Sequence, residues 1–236
     1  MTELPYLKDA YAKEFEATIL KAEGNKIVLD STLFFPTGGG QPNDLGYLTK
    51  ENQVFNVVNA SKVNGDVIHE LDKPGLKEGD KIKGFIDWKR RYKLMRSHTA
   101  MHVISTIFNT ETSALITGNQ IDIDKSRIDF DFEAFDMELI NKCFKDANEV
   151  IKKDHKVKSY FIPKEQALSD ESLIKLATRS FLEKLNDIRI VEIENFDKQL
   201  DGGTHVNSLK EIGEVELIKC ENKGKGRKRL YFKLKE

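Results

Sequence analysis

Short runs that alternate β-branched or aromatic residues with polar ones fill the first part of the chain: Glu16–Leu20, Lys26–Leu29, Gln53–Val58, Asp66–Leu71 and Asp80–Ile86. Turn-forming residues such as Glu23-Gly24-Asn25 and Asn64-Gly65 separate them. Period-two patterning with short connections predicts strands that curl into a small barrel. The period changes at Asp87-Trp88. From Arg90 to about Asn109, apolar residues fall at Leu94, Met101, Ile104, Ile107 and Phe108, close to helical spacing. A second amphipathic helix is expected from about Ala134 to Lys153, with short helical pieces at Lys164–Leu168 and Glu171–Leu176. Strands are expected at Ile188–Ile193, Val215–Ile218 and Arg229–Leu234. The expected class is α+β in two domains, a small β-barrel over 1–87 and an α+β domain over 88–236. No internal repeat or low-complexity tract is visible.

Composition narrows this little. The chain has 236 residues and 39% hydrophobic content, enough for a real core. It has no run of about 18 apolar residues, and Met1-Thr-Glu-Leu-Pro-Tyr6 lacks the basic and apolar regions of a secretion signal. A cytoplasmic location without a membrane partner is the default expectation, and no obligatory protein partner is apparent. Cys143 and Cys220 stand far apart, with no further cysteines to build a disulfide framework, so both are expected as reduced thiols. A formal net charge of -1 gives no overall attraction for nucleic acid. Two local clusters remain: Lys89-Arg90-Arg91 with Lys93 and Arg96, and Lys223-Gly-Lys225-Gly-Arg227-Lys228-Arg229. A solvated charged face accounts for either taken alone. In the second, glycines between cations let the backbone approach a phosphate chain, which makes Lys223, Lys225, Arg227 and Lys228 the candidate phosphate-backbone contacts.

Candidate chemistry lies in histidine spacing. His98-Thr-Ala-Met-His102 puts two imidazoles on one face of the expected helix. Asp201-Gly-Gly-Thr-His205 offers a carboxylate and a third imidazole in a short turn. Zinc accepts this donor set, and three protein ligands would leave a position for water, whose pKa the ion lowers while it polarises an ester carbonyl. Gly202 and Gly203 can turn backbone N–H groups inward toward an oxyanion or a terminal ribose, with Thr204 beside them in the candidate substrate-binding set. The run Leu33–Gly46 carries Gly38, Gly39 and Gly40 before Gln41 and lacks the Lys-Ser/Thr ending of a P-loop. It reads either as a flexible loop or as one whose backbone and Gln41 side chain approach a ligand. Thr99 or Thr117 is a candidate to pair a substrate hydroxyl, the alternative being a locally satisfied hydroxyl. His69 and His155 are expected at the surface.

Phe35-Pro-Thr-Gly-Gly-Gly-Gln-Pro-Asn-Asp-Leu-Gly46, His98-Thr-Ala-Met-His102, Gly202-Gly-Thr-His205 and Lys223-Gly-Lys-Gly follow one another in this chain. In that order they resemble alanyl-tRNA synthetase editing domains and their free-standing relatives, alanyl-tRNA editing proteins of the AlaX type, medium-length class. The resemblance covers nearly the whole chain. It implies a small N-terminal barrel followed by an alanyl/threonyl-tRNA synthetase-type editing domain, and trans editing because no aminoacylation domain is present. It further implies a metal-dependent deacylase that hydrolyses Ser-tRNA(Ala), often Gly-tRNA(Ala), with zinc held by the H-x-x-x-H pair and a C-x-x-x-H pair. Asp201 stands where the family usually has cysteine. A carboxylate there is expected to weaken zinc relative to other divalent ions, or to act beside the metal as an acceptor or base. Two other readings stay open, a metal-poor tRNA-binding or regulatory relative and a metallohydrolase of small esters.

Overall fold

The structure, a computed structural model, describes residues 1–132, 136–170, 173, 187–224 and 226–235. It divides into two compact units, Met1–Leu94 and Met95–Glu236.

The first unit is a closed antiparallel barrel in the order β1-β2-β5-β4-β3-β6. Its strands are β1 (Glu14–Glu23), β2 (Lys26–Leu29), β3 (Gly46–Lys50), β4 (Gln53–Val63), β5 (Asp66–Leu71) and β6 (Lys81–Ile86). Alternation does what the sequence pattern demands: along β5, Val67, His69 and Leu71 point inward while Asp66, Ile68 and Glu70 are partly exposed. Closure leaves no free sheet edge. Ile19, Ile27, Leu29, Leu48, Phe55, Ala60, Val67 and Leu71 form the core with Phe34 and Phe35 from the β2–β3 connection. His69 corrects the expectation of a surface position. It is fully buried, its Nε2 pairs with Thr32 Oγ1 at 2.8 Å, and its ring lies edge-on to Phe34. Burial lowers its pKa to about 4 against a smaller opposing effect of backbone groups at Ile27 and Val67, so it is a neutral core residue at neutral pH.

Helix α1 (Trp88–Thr112) begins in the first unit and continues into the second. From Ser97 to Thr106 every position is buried, so this stretch is covered on all sides rather than on one face. Its polar members must therefore find partners inside the protein. A four-stranded sheet runs β12-β13-β8-β7, built from β7 (Ile116–Gln120), β8 (Ser126–Phe130), β12 (Glu214–Asn222) and β13 (Lys228–Lys235). Helix α2 (Met137–Lys152) starts where the Asp136 carboxylate accepts from the Glu138 and Leu139 amides at 2.8 and 3.3 Å. It buries Ile140, Cys143, Phe144, Ala147, Val150 and Ile151 along one stripe. Phe108 of α1 stacks on Phe130 at 4.9 Å and meets Phe144 edge-on at 6.3 Å, so aromatic packing joins α1, β8 and α2.

A three-stranded sheet, β11-β10-β9, comprises β9 (Val157–Pro163), β10 (Asp187–Ile193) and β11 (Asp197–Leu200). Short helix α3 (Lys164–Ser169) follows β9. Of the helical piece expected at Glu171–Leu176 only Leu173 is among the described residues, and Ala134 and Phe135 of the second expected helix lie outside them. Among the described residues no helix is long and apolar enough to cross a membrane.

Candidate metal centre

One turn of α1 separates His98 from His102, and the turn after β11 supplies Asp201 and His205. Their candidate ligand atoms all lie within 4.8 Å of one another. The three rings aim Nε2 at one carboxylate: His98 Nε2 is 3.3 Å and His102 Nε2 3.7 Å from Asp201 Oδ2, and His205 Nε2 is 3.0 Å from Asp201 Oδ1. Ring centroids stand 4.3 to 5.3 Å apart. The Asp201 side chain keeps 18% exposure against 5%, 7% and 4% for the three imidazoles, so the cluster meets solvent at Asp201.

At Asp201 and His205 the direction of the shifts suits a cation. Burial pushes the Asp201 carboxyl up, but His98 first, and then the nearby ring nitrogens of His102 and His205, outweigh it and hold it well below the carboxylate range. Burial, with His98 alongside, pushes His205 well below its ordinary value against the opposing pull of Asp201. An anionic carboxylate and neutral imidazole are the forms that bind metal. Three nitrogen donors and one oxygen, buried and convergent, fit zinc or another divalent ion of similar preference.

The supporting parts are specific. A Cβ on Gly203 would lie 2.3 Å from His98 Cε1 and 2.5 Å from Nδ1, so the absence of a side chain at 203 is what lets the imidazole occupy its place. The Gly203 amide donates to Asp201 Oδ1 at 2.5 Å; Gly202 is exposed and Thr204 buried. Arg189 of β10, itself buried, donates through Nη1 to the Asp201 and Gly203 carbonyls at 3.0 and 2.9 Å. Thr99 Oγ1 donates to the Met95 carbonyl at 3.0 Å, accepts from the Val206 amide at 3.2 Å and lies 3.1 Å from His205 Nδ1. With no exposed surface, the Thr99 hydroxyl braces His205 and is closed to a substrate hydroxyl, the role considered for it from sequence. Thr117 is exposed on β7.

The glycine-rich segment is pinned rather than loose. Gly38 and Gln41 exchange backbone hydrogen bonds at 3.0 and 2.9 Å around Gly39 and Gly40, whose φ values of 59° and 84° suit glycine. The Gln41 side chain is buried, so it is not presented as a ligand contact; the exposed part is Thr37, Gly38 and Gly39. Asp44 ties the segment down. It accepts from the Phe35 amide at 2.7 Å and from Arg91 Nε at 2.9 Å on both oxygens, with Arg91 Nη2 also paired to it. Arg91 donates further to the Leu33 and Ala10 carbonyls, and Arg90 to the Asn43 carbonyl. Arg96 bonds the Ile212 carbonyl at 2.8 Å. The first basic cluster is thus largely structural rather than a solvated face. In the second, Lys223 and Arg227 are exposed, Lys223 pairs with Glu221 at 2.7 Å, and Lys225 lies outside the described residues. Lys228 is 3% exposed with Nζ 3.4 Å from Asn222 Oδ1, which withdraws its charge from any phosphate contact.

Arg189, Asp197, Gln199, Asp44 and the partnering of Arg91 escaped sequence reading. A charged residue between Ile188 and Ile190 was the one signal available for Arg189.

Comparison with known proteins places these parts among the tRNA synthetases and their relatives. Residues 4–90 match the family described as tRNA synthetases class II (A), and residues 188–231 the threonyl and alanyl tRNA synthetase second additional domain. The chain is 46% identical over 243 residues to the alanyl-tRNA editing protein AlaX-M of Methanosarcina barkeri, covering 99% of each chain. It is 46% identical over 240 residues to that of Saccharolobus solfataricus, covering 100% of both. An alanine–tRNA ligase of Pyrococcus abyssi is 33% identical over 235 residues, 98% of this chain and 26% of the ligase. The chain belongs to the AlaX-M family of alanyl-tRNA editing proteins.

Proposed function

We propose that the chain is a cytoplasmic trans-editing hydrolase that deacylates tRNA(Ala) mischarged with serine, and also with glycine, using a divalent cation held by His98, His102, Asp201 and His205. The observation that carries this reading is the convergence of three Nε2 atoms on the Asp201 carboxylate, in a chain similar from end to end to alanyl-tRNA editing proteins. A bound divalent ion, zinc first among them, supplies Lewis acidity that activates water and polarises the ester carbonyl. Water adds to the carbonyl carbon, the bond to the ribose oxygen breaks, and the free amino acid and the tRNA hydroxyl leave.

The chain's own groups set the geometry. Arg189 and the Gly203 amide fix the turn that carries Asp201, while Thr99 holds the His205 ring. The exposed Gly202 amide and the exposed Gly38–Gly39 backbone are the proposed substrate contacts, whereas Thr204, with no exposed surface, is closed to substrate as Thr99 is. Thr117 is the proposed partner of the serine hydroxyl. A group that pairs this hydroxyl is left unpaired by alanine, which disfavours hydrolysis of the correct product. Lys223, Lys225 and Arg227 are proposed to attract the tRNA backbone.

The decisive experiment is deacylation of Ser-tRNA(Ala) and Gly-tRNA(Ala) with and without a chelator, alongside elemental analysis of the purified protein. Chelator-sensitive hydrolysis with stoichiometric metal is expected; hydrolysis that is absent, or indifferent to metal, overturns the reading. Asp201→Ala should lower metal content and activity together, and Asp201→Cys should tighten zinc specifically. Full metal and full activity in Asp201→Ala would leave the three histidines as the whole site.

A further inference from the structure

Each imidazole of the cluster has a second nitrogen, facing away from Asp201. For His205 that atom meets the Thr99 hydroxyl. For His102 it does not: His102 Nδ1 is one of two buried side-chain polar atoms among the described residues that lack a hydrogen-bond partner. What faces it is the carboxylate of Asp197, the first residue of β11, with Oδ2 4.0 Å away and a side chain only 1% exposed. That carboxylate is itself aimed by its surroundings. Gln199 Nε2 donates to Oδ2 at 2.8 Å and lies 3.4 Å from both Ser105 Oγ and Thr106 Oγ1 on α1. A buried, oriented acceptor thus stands about one ångström beyond the typical hydrogen-bond length from a buried, unsatisfied ring nitrogen.

We propose that Asp197 is a positioning residue that accepts the Nδ1–H of His102, fixing that ring with its Nε2 lone pair toward Asp201 and strengthening its hold on a divalent cation. The inference rests on reading His98, His102, Asp201 and His205 as a metal site. The chemistry favours it twice over. A proton held on Nδ1 leaves Nε2 as the donor and makes it more basic. Asp201 in place of a thiolate brings one formal negative charge to the set, and Asp197 brings a second close behind it, so a dication would be balanced by two carboxylates around neutral imidazoles. The alternative is that Asp197 only anchors Gln199 at the start of β11.

Two measurements separate these. In the metal-free protein labelled with 15N-histidine, His102 should be found with its proton on Nδ1; a proton on Nε2 overturns the proposal without any variant. Asp197→Asn keeps the size and an acceptor for Gln199 but removes the charge. It should weaken Zn2+, measured by competition with a chromogenic chelator, about 10- to 100-fold, shift the visible spectrum of the Co2+-loaded protein, and leave the melting temperature of the metal-free protein unchanged. A Zn2+ affinity within twofold of the parent, or a fall in metal-free stability with unchanged affinity, reduces Asp197 to an anchor and overturns the proposal. If the parent itself binds neither ion, the metal reading has failed; the His102 tautomer then still decides the hydrogen bond.

Discussion

Arg91→Ala is the most demanding perturbation of the first unit. Arg91 and Asp44 have side chains 0% and 1% exposed, and the guanidinium also serves the Leu33 and Ala10 carbonyls. Truncation leaves a carboxylate buried without its counter-charge and removes the donor to a buried carbonyl. Breaking a buried pair costs about 3–5 kcal/mol, and an orphaned carbonyl adds roughly 1 kcal/mol. With a urea slope of about 2 kcal/mol/M, the unfolding midpoint of this unit should fall by about 2 to 3 M. The assay is built in: Trp88, the sole tryptophan, lies in the same unit, stacked on Tyr92 and tilted against Tyr11, so its fluorescence follows this transition. Asp44→Leu with Arg91→Met should recover most of the loss, because an apolar pair of similar volume avoids the desolvation of both charges. A loss below about 1 kcal/mol for Arg91→Ala, or a double variant as unstable as the two single losses added, would refute the reasoning.

Acid should weaken the same unit through His69. Its folded pKa of about 4 lies below the unfolded 6.5, so the unfolded chain binds the proton first. The stabilisation is complete above pH 6.5 and is lost as pH falls toward 4, by roughly 3 kcal/mol in all; urea midpoints across this window should slope in the parent and flatten in His69→Leu. In Gly203→Ala the new methyl displaces the His98 ring, so Zn2+ affinity and deacylation should drop at least about tenfold while the Trp88 transition stays put; retained affinity would show that the turn yields instead. Replacing Lys223, Lys225 and Arg227 by alanine should flatten the salt dependence of tRNA binding by about one in log–log slope for each phosphate no longer neutralised, and an unchanged slope would return the cluster to a solvated face.

What sequence reading recovered follows from how each residue is satisfied. Barrel strands such as Asp66–Leu71 were visible because burial of alternate apolar residues is their whole logic. β3, which shares only Gly46 with the glycine-rich run before it, was not expected, its Tyr47-Leu48-Thr49 alternation being too short to stand out. β11 was hidden for a different reason: Asp197 and Gln199 are buried as a hydrogen-bonded pair, so an inward-facing strand carries a polar sequence. Arg91 read as part of a surface cluster because its partners lie 47 and 58 positions away. The four candidate ligands were legible because i,i+4 spacing is a local geometric statement. Asp197 and Arg189 act through neighbours that only the folded chain brings near.

The carboxylate at 201 also changes the protein's exposure to oxidants. A metal set containing a thiolate can be dismantled by peroxide or alkylating agents, since the anionic sulfur is the reactive form. This cluster offers nitrogen and oxygen alone, and the two sulfhydryl groups stand elsewhere, with burial pushing Cys143 and Cys220 up to about 11 and so keeping both in the unreactive thiol form. Nothing in the set of four can be converted to a sulfenic acid or capped by glutathione, so a cation held there as proposed would not be released by thiol chemistry.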